Sequence, residues 1–129
     1  MLVEGDDHSD AIGDEVRSLL DGHIWLSRKL STRGHYPAID AIESISRVMP
    51  DICDPEHKKA AMEMRRLVAV YLDNEDMISL GMYRAGSNPE IDHAIKMKPM
   101  IDQFLKQDVS ERAVLGETVQ RIKELMLGA

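Results

Sequence analysis

The chain has 129 residues, 43% of them hydrophobic and 30% charged, with a net charge of −7 and a single cysteine. That length holds one domain, or a domain piece joined to a small helical domain, and one Phe and one Trp against nine Met make its core aliphatic. The acidic balance argues against a general nucleic-acid surface, the lone Cys53 excludes an internal disulfide and suits a reducing compartment, and no apolar run is long enough to span a membrane.

Leu2–Glu4 is a short apolar run before Gly5-Asp6-Asp7, which reads as a strand end and a turn. Asp10 is suited to cap a helix reaching about Leu20, with Ile12, Val16, Leu19 and Leu20 on one face. Asp21-Gly22 signals a turn, and His23–Leu26 follows as a buried strand. Strand, helix and strand at this spacing predict a parallel, right-handed βαβ unit. Two strands do not make a stable sheet by themselves, so this unit calls for partner strands that the sequence lacks.

Ser27–Arg33 predicts a short helix stopped at Gly34, which takes the left-handed cap. Pro37 constrains the loop that carries Tyr36. Asp40 is placed to cap a further short helix carrying Ile42, Ile45 and Arg47. After Pro50 the pattern becomes purely helical. Asp54-Pro55 starts a helix to about Leu72 with Ala61, Met64, Leu67, Val68 and Tyr71 as its apolar stripe. A short helix over Glu75–Leu80 ends near Gly81. Ser87-Asn88-Pro89-Glu90 reads as a capping box, and Pro99 is expected to kink or restart the helix that follows. Ser110 is expected to cap the last helix, in which Ala113, Leu115, Val119, Ile122, Leu125 and Met126 are the apolar positions. These signals divide the chain into residues 1–50 and a helical domain over residues 51–129.

Several chemistries find no support. The five histidines show no i, i+4 pairing and Cys53 has no cysteine partner, so no metal site is expected; Asp6-Asp7-His8 reads as a solvated turn. Ser27, Ser44 and Ser46 lack the setting of an activated nucleophile. Glu75, Asp76 and Glu90 read as solvated or capping groups. There is no G-x-x-x-x-G-K-[ST] sequence, so the chain holds no phosphate-cradling P-loop.

The run Asp21–Met49 contains GHYPAID and Ser46-Arg47-Val48-Met49 in order, and Glu75–Ile95 contains a G-x-Y-x-x-G-S-N-P-x-I-D pattern. Together with LVEGDD at residues 2–7, these motifs resemble the C-terminal part of the ATPases that power flagellar and type III protein export. The resemblance covers nearly the whole chain. It implies an α+β fragment, mostly α: a βαβ remnant of a RecA-like sheet followed by a C-terminal helical domain. It also implies that Tyr36 stacks on adenine and that Arg47 is an arginine finger acting in trans on a neighbouring subunit's nucleotide.

The longer parent would hydrolyse ATP with Mg2+ as a cytoplasmic homohexamer, peripheral to the inner-membrane export gate. Its partners would be stator or regulator proteins, a central stalk protein, and export chaperone–substrate complexes. The segment alone would bind no cofactor and turn over no ATP, and no nucleic acid partner is implied. Two features depart from related patterns. Tyr71–Ser87 has only Asp73, Glu75 and Asp76 where rotary ATPases carry a longer acidic loop, which argues against an ATP synthase β subunit. Trp25 stands where a smaller aliphatic residue is usual. The GSNPEID pattern leans toward a flagellar system. The competing reading is a freestanding helical interaction or adaptor domain, which the lone strand pair fits badly. A hexameric RNA translocase conflicts with the net negative charge.

Overall fold

The structure is a computed structural model and describes residues 10–128. The expected strand at Leu2–Glu4, the turn after it and the parallel unit they would complete lie outside those residues. Helix α1 (Ala11–Leu19) opens on Asp10, whose Oδ1 accepts the N–H groups of Ile12 and Gly13 at 2.8 and 3.0 Å. Its predicted apolar face is largely uncovered: Ile12 and Leu19 are exposed, and Gly13 is the helix's buried residue.

Strand β1 (Gly22–Leu26) leads into α2 (Arg28–Thr32). That helix stops at Gly34, whose φ of 69° is the left-handed conformation expected of it. Strand β2 (Ile39–Ser46) then pairs antiparallel with β1, matching Gly22 to Ser46 and Leu26 to Ile39. The helix predicted to start at Asp40 is therefore a strand. Ile39, Ile42 and Ile45 recur every three residues, as on a helix, but three residues of β2 are looped out of the ladder. Five steps from Asp40 to Ile45 face only two steps from Trp25 to His23.

The bulge is held by its own side chains. Asp40 Oδ1 accepts the N–H of Ile42 at 2.9 Å and of Glu43 at 3.1 Å. The Ser44 hydroxyl donates to the Asp40 carbonyl at 2.5 Å and accepts the Trp25 N–H at 2.9 Å. Asp40 thus does the work of a helix cap inside a strand. The half-buried Trp25 lies under the Arg17 guanidinium, 5.2 Å from the ring centroid, which places it against α1 as its size requires.

The helical part comprises α3 (Met49–Ile52), α4 (Pro55–Asp73), α5 (Glu75–Ser79), α6 (Pro89–Leu105) and α7 (Leu115–Leu127). Its core is Ala60, Met64, Leu67 and Val68 of α4, Ala94, Met97 and Ile101 of α6, and Ile122 of α7. Ile42, carried inward by the bulge, packs against this cluster. Lys123 closes α7 onto the start of α4 through Asp54 at 3.0 Å.

Three boundary expectations change. Asn88, not Ser87, caps α6, taking the N–H groups of Glu90 and Ile91, because the Ser87 hydroxyl is turned back to the Arg84 carbonyl at 2.6 Å. α6 does not restart at Pro99; the Lys98–Asp102 pair and the buried Met97 and Ile101 hold the helix on both sides of it. Ser110 does not cap α7, which starts five residues later. Its hydroxyl and N–H are committed to Asp108 at 2.6 and 2.9 Å, in a loop that leaves Ala113 outside the helix.

Candidate functional site

The hairpin presents one nominated residue beyond each of its ends. At the end where Leu26 meets Ile39, Gly34 turns the chain out of α2 and the His35 N–H returns to the Leu30 carbonyl at 3.0 Å. The Tyr36–Pro37 peptide is cis. Two contacts fix Tyr36: its hydroxyl lies 2.8 Å from the Ser31 hydroxyl, and its carbonyl accepts the Gln107 N–H at 2.9 Å. Tyr36 remains 55% exposed and lines an open cleft of about 740 Å³ with Lys106, Gln107, Glu111 and Arg121. A ring pinned at its hydroxyl and its backbone, with a face open to a cleft, stacks on a planar ligand at small entropic cost.

His35 is turned the other way. It is buried, and its Nε2 has no partner among the described residues. Burial pushes its pKa below the ordinary 6.5; nearby Asp102 opposes the shift, and Lys106 and Lys98 reinforce it. It lines a small pocket of about 160 Å³ between the hairpin and α6 with Leu30, Ile42 and Leu105. The imidazole is therefore a neutral part of the seam that carries Tyr36.

At the opposite end Gly22 faces Ser46, and Arg47 follows with its N–H on the Asp21 carbonyl at 2.8 Å. The strands approach closely here: a Cβ on Gly22 would stand 2.7 Å from the Ile45 carbonyl oxygen. The Ser46 hydroxyl accepts the Met49 N–H at 3.2 Å and turns the chain into α3. Arg47 is exposed, and among the described residues its guanidinium makes no hydrogen bond or ion pair. It lines neither the Tyr36 cleft nor the His35 pocket. The length of β1, about 13 Å at roughly 3.3 Å per residue, separates the two ends.

Contacts between the halves carry Arg65, which the sequence did not single out, and Glu75, which is paired across the halves and not the solvated or capping group it was expected to be. Arg65 of α4 donates to the carbonyls of Ile42 at 2.9 Å and Ser44 at 3.3 Å. Glu75 receives Arg33 at 2.7 Å and Lys29 at 3.6 Å, and Arg33 holds its carboxyl below the usual range. Among the described residues no group of three or more His, Cys, Asp or Glu could hold a metal ion. No described helix is long and apolar enough to cross a membrane.

Residues 1–46 match the nucleotide-binding domain of the ATP synthase alpha/beta family. Residues 53–124 match the T3SS EscN ATPase C-terminal domain, and the chain belongs to that family, as its motifs imply. It is 46% identical over 125 residues to a type 3 secretion system ATPase of Pseudomonas syringae pv. syringae, and 45% identical over 125 residues to a flagellum-specific ATP synthase of Bacillus subtilis. Each match covers 97% of this chain and 28% of the relative, so the chain spans just over a quarter of the length of these proteins.

Among solved structures, the assembled ATPase EscN of the enteropathogenic E. coli type III secretion system superposes with a TM-score of 0.91 at 41% identity, over 98% of this chain and 31% of EscN. EscN in complex with its central stalk EscO gives 0.82 at 42% identity, over 89% and 28%. The mostly helical α+β class is thus the observed one. The flagellar and secretion relatives match equally well, so similarity does not carry the lean toward a flagellar system.

Proposed function

We propose that this chain is the C-terminal segment of a protein-export ATPase that hydrolyses ATP at the interfaces of a cytoplasmic homohexamer. In this reading residues 1–50 complete the ATPase domain and residues 51–129 form a helical domain that meets a central stalk and chaperone–substrate complexes near an inner-membrane export gate. The two family matches, ending at 46 and resuming at 53, and the EscN–EscO complex support it. Tyr36 stacks on adenine, and Arg47 reaches the phosphates bound by the adjacent subunit.

The observation that carries the reading is the placement of these two groups. The open ring and the uncommitted guanidinium lie beyond opposite ends of one hairpin, and Arg47 does not line the Tyr36 cleft. One hairpin built this way serves two nucleotides, its own subunit's and a neighbour's. The guanidinium's planar fork fits a phosphoryl group that gains charge in the transition state.

Kinetics of the full-length enzyme test this. Arg47→Ala should lower kcat by about 10³-fold with nucleotide binding retained, and Arg47→Lys should not rescue it. Tyr36→Ala should weaken nucleotide affinity by roughly 1–3 kcal/mol. Near-normal kcat for Arg47→Ala in assembled hexamers would overturn the finger assignment. The chain alone, having no P-loop, should show no turnover.

A further inference from the structure

The β2 bulge has a lock on each side. On its own strand the Asp40 carboxylate holds the N–H groups of Ile42 and Glu43. From the helical half, Arg65 of α4 holds the carbonyls of Ile42 and Ser44 with the two arms of one guanidinium, Nη2 at 2.9 Å and Nη1 at 3.3 Å. Looping residues out of a ladder leaves backbone carbonyls without strand partners. A planar fork meets two of them at once, which a single ammonium does not. Between this clamp and Arg47 stand only Ile45 and Ser46, whose path is set by the pairing of His23 with Ile45 and Gly22 with Ser46.

We propose that Arg65 is a positioning residue for Arg47: by clamping the bulge it fixes where the finger emerges, and it ties that point to helix α4. The inference rests on the reading of Arg47 as a trans-acting finger. Arg65 itself touches no nucleotide in this scheme. Its effect passes through two residues of strand, Ile45 and Ser46, and displacing a catalytic group by about 1 Å can cost roughly 10²-fold in rate.

The test uses the full-length hexameric enzyme. Arg65→Ala should lower kcat by about tenfold to a hundredfold. KM for ATP, nucleotide affinity and the sedimentation of the hexamer should stay unchanged. Arg65→Lys, which can satisfy one carbonyl, should recover part of the loss. Asp40→Ala loosens the same bulge from the other side and should reproduce the loss in kcat; it decides the matter if Arg65→Ala does not fold. The discriminating measurement is the double variant. In an Arg47→Ala background, Arg65→Ala should change the residual kcat by less than about twofold, because two residues acting through one effect are not additive.

An equal loss from Arg65→Ala in both backgrounds would show that Arg65 acts independently of the finger and would overturn the proposal. So would near-normal kcat in Arg65→Ala, or in Asp40→Ala, alongside a large loss in Arg47→Ala. If Arg47→Ala is itself near normal, the finger reading fails, and the positioning role falls with it.

Discussion

The hairpin and the helical part solve the same problem with different means. The helical part buries Leu67 and Ile101 completely and draws its whole core from α4, α6 and α7. The hairpin leaves Ile24 and Leu26 of β1 about 70% exposed, and Ile12 and Leu19 of α1 are exposed too. What fixes it is polar: the Asp40 and Ser44 bonds in the bulge, the Arg65 clamp, and the bridges of Glu75 to Lys29 in α2 and to Arg33 just after it. Among the described residues its one apolar anchor in the core is Ile42. Dependence should therefore run in one direction. Damage to the helical core should loosen the hairpin, whereas damage to the hairpin should leave the helices standing.

The largest effect should come from Leu67→Ala, which removes a fully buried side chain and should cost about 2–5 kcal/mol. Urea denaturation should show it, and hydrogen exchange should find weaker protection in β1 as well as α4. Full retention of β1 protection would break the proposed dependence. Gly22→Ala comes next. The added Cβ collides with the Ile45 carbonyl, and overpacking of this kind costs about 1–3 kcal/mol. Amide protection should fall in His23–Leu26 while Met62–Tyr71 is unaffected. In the unaltered chain, stronger protection of the strand than of the helix would contradict the asymmetry outright.

Acid should act on the seam between the two regions. The folded pKa of His35 lies below its ordinary 6.5, so the unfolded chain binds more protons once the pH falls under that value. Its stabilising contribution is complete above about pH 6.5 and is lost as the pH drops through the folded pKa. The thermal midpoint should fall over that range, and His35→Phe should flatten the dependence. An unchanged pH profile in His35→Phe would remove His35 as its source. The smallest effect belongs to Glu75→Gln. Arg33 is half exposed, so screening should hold the loss well under about 1 kcal/mol.

The helical part was legible because its signals are local. Asp54-Pro55 begins α4, α5 ends just before Gly81 as expected, and the stripe through Met64, Leu67 and Val68 is the buried one. The family could be read from short motifs in order, and those motifs also nominated Tyr36 and Arg47. The errors fall where a partner outside the expected cap decides, a distant strand in one case and a residue two positions away in another. Asp40 has the chemistry of a cap, yet pairing with β1 makes the segment a strand with a bulge. Ser110 looks like a cap, but Asp108 takes it, and the same loop donates the Gln107 N–H to the Tyr36 carbonyl. Arg65 and Gln107 carry no mark at all in the sequence, because each acts on backbone far away along the chain.

Trp25 gives this asymmetry an optical form. It is the only indole in the chain, and it lies in β1 beneath Arg17. Indole emission therefore reports on the hairpin alone, while far-ultraviolet ellipticity is dominated by α4, α6 and α7. The two signals, recorded on one unlabelled sample, follow the two regions separately. Coincident urea transitions identify a single cooperative unit. An indole transition at lower urea identifies a hairpin that melts while the helices persist.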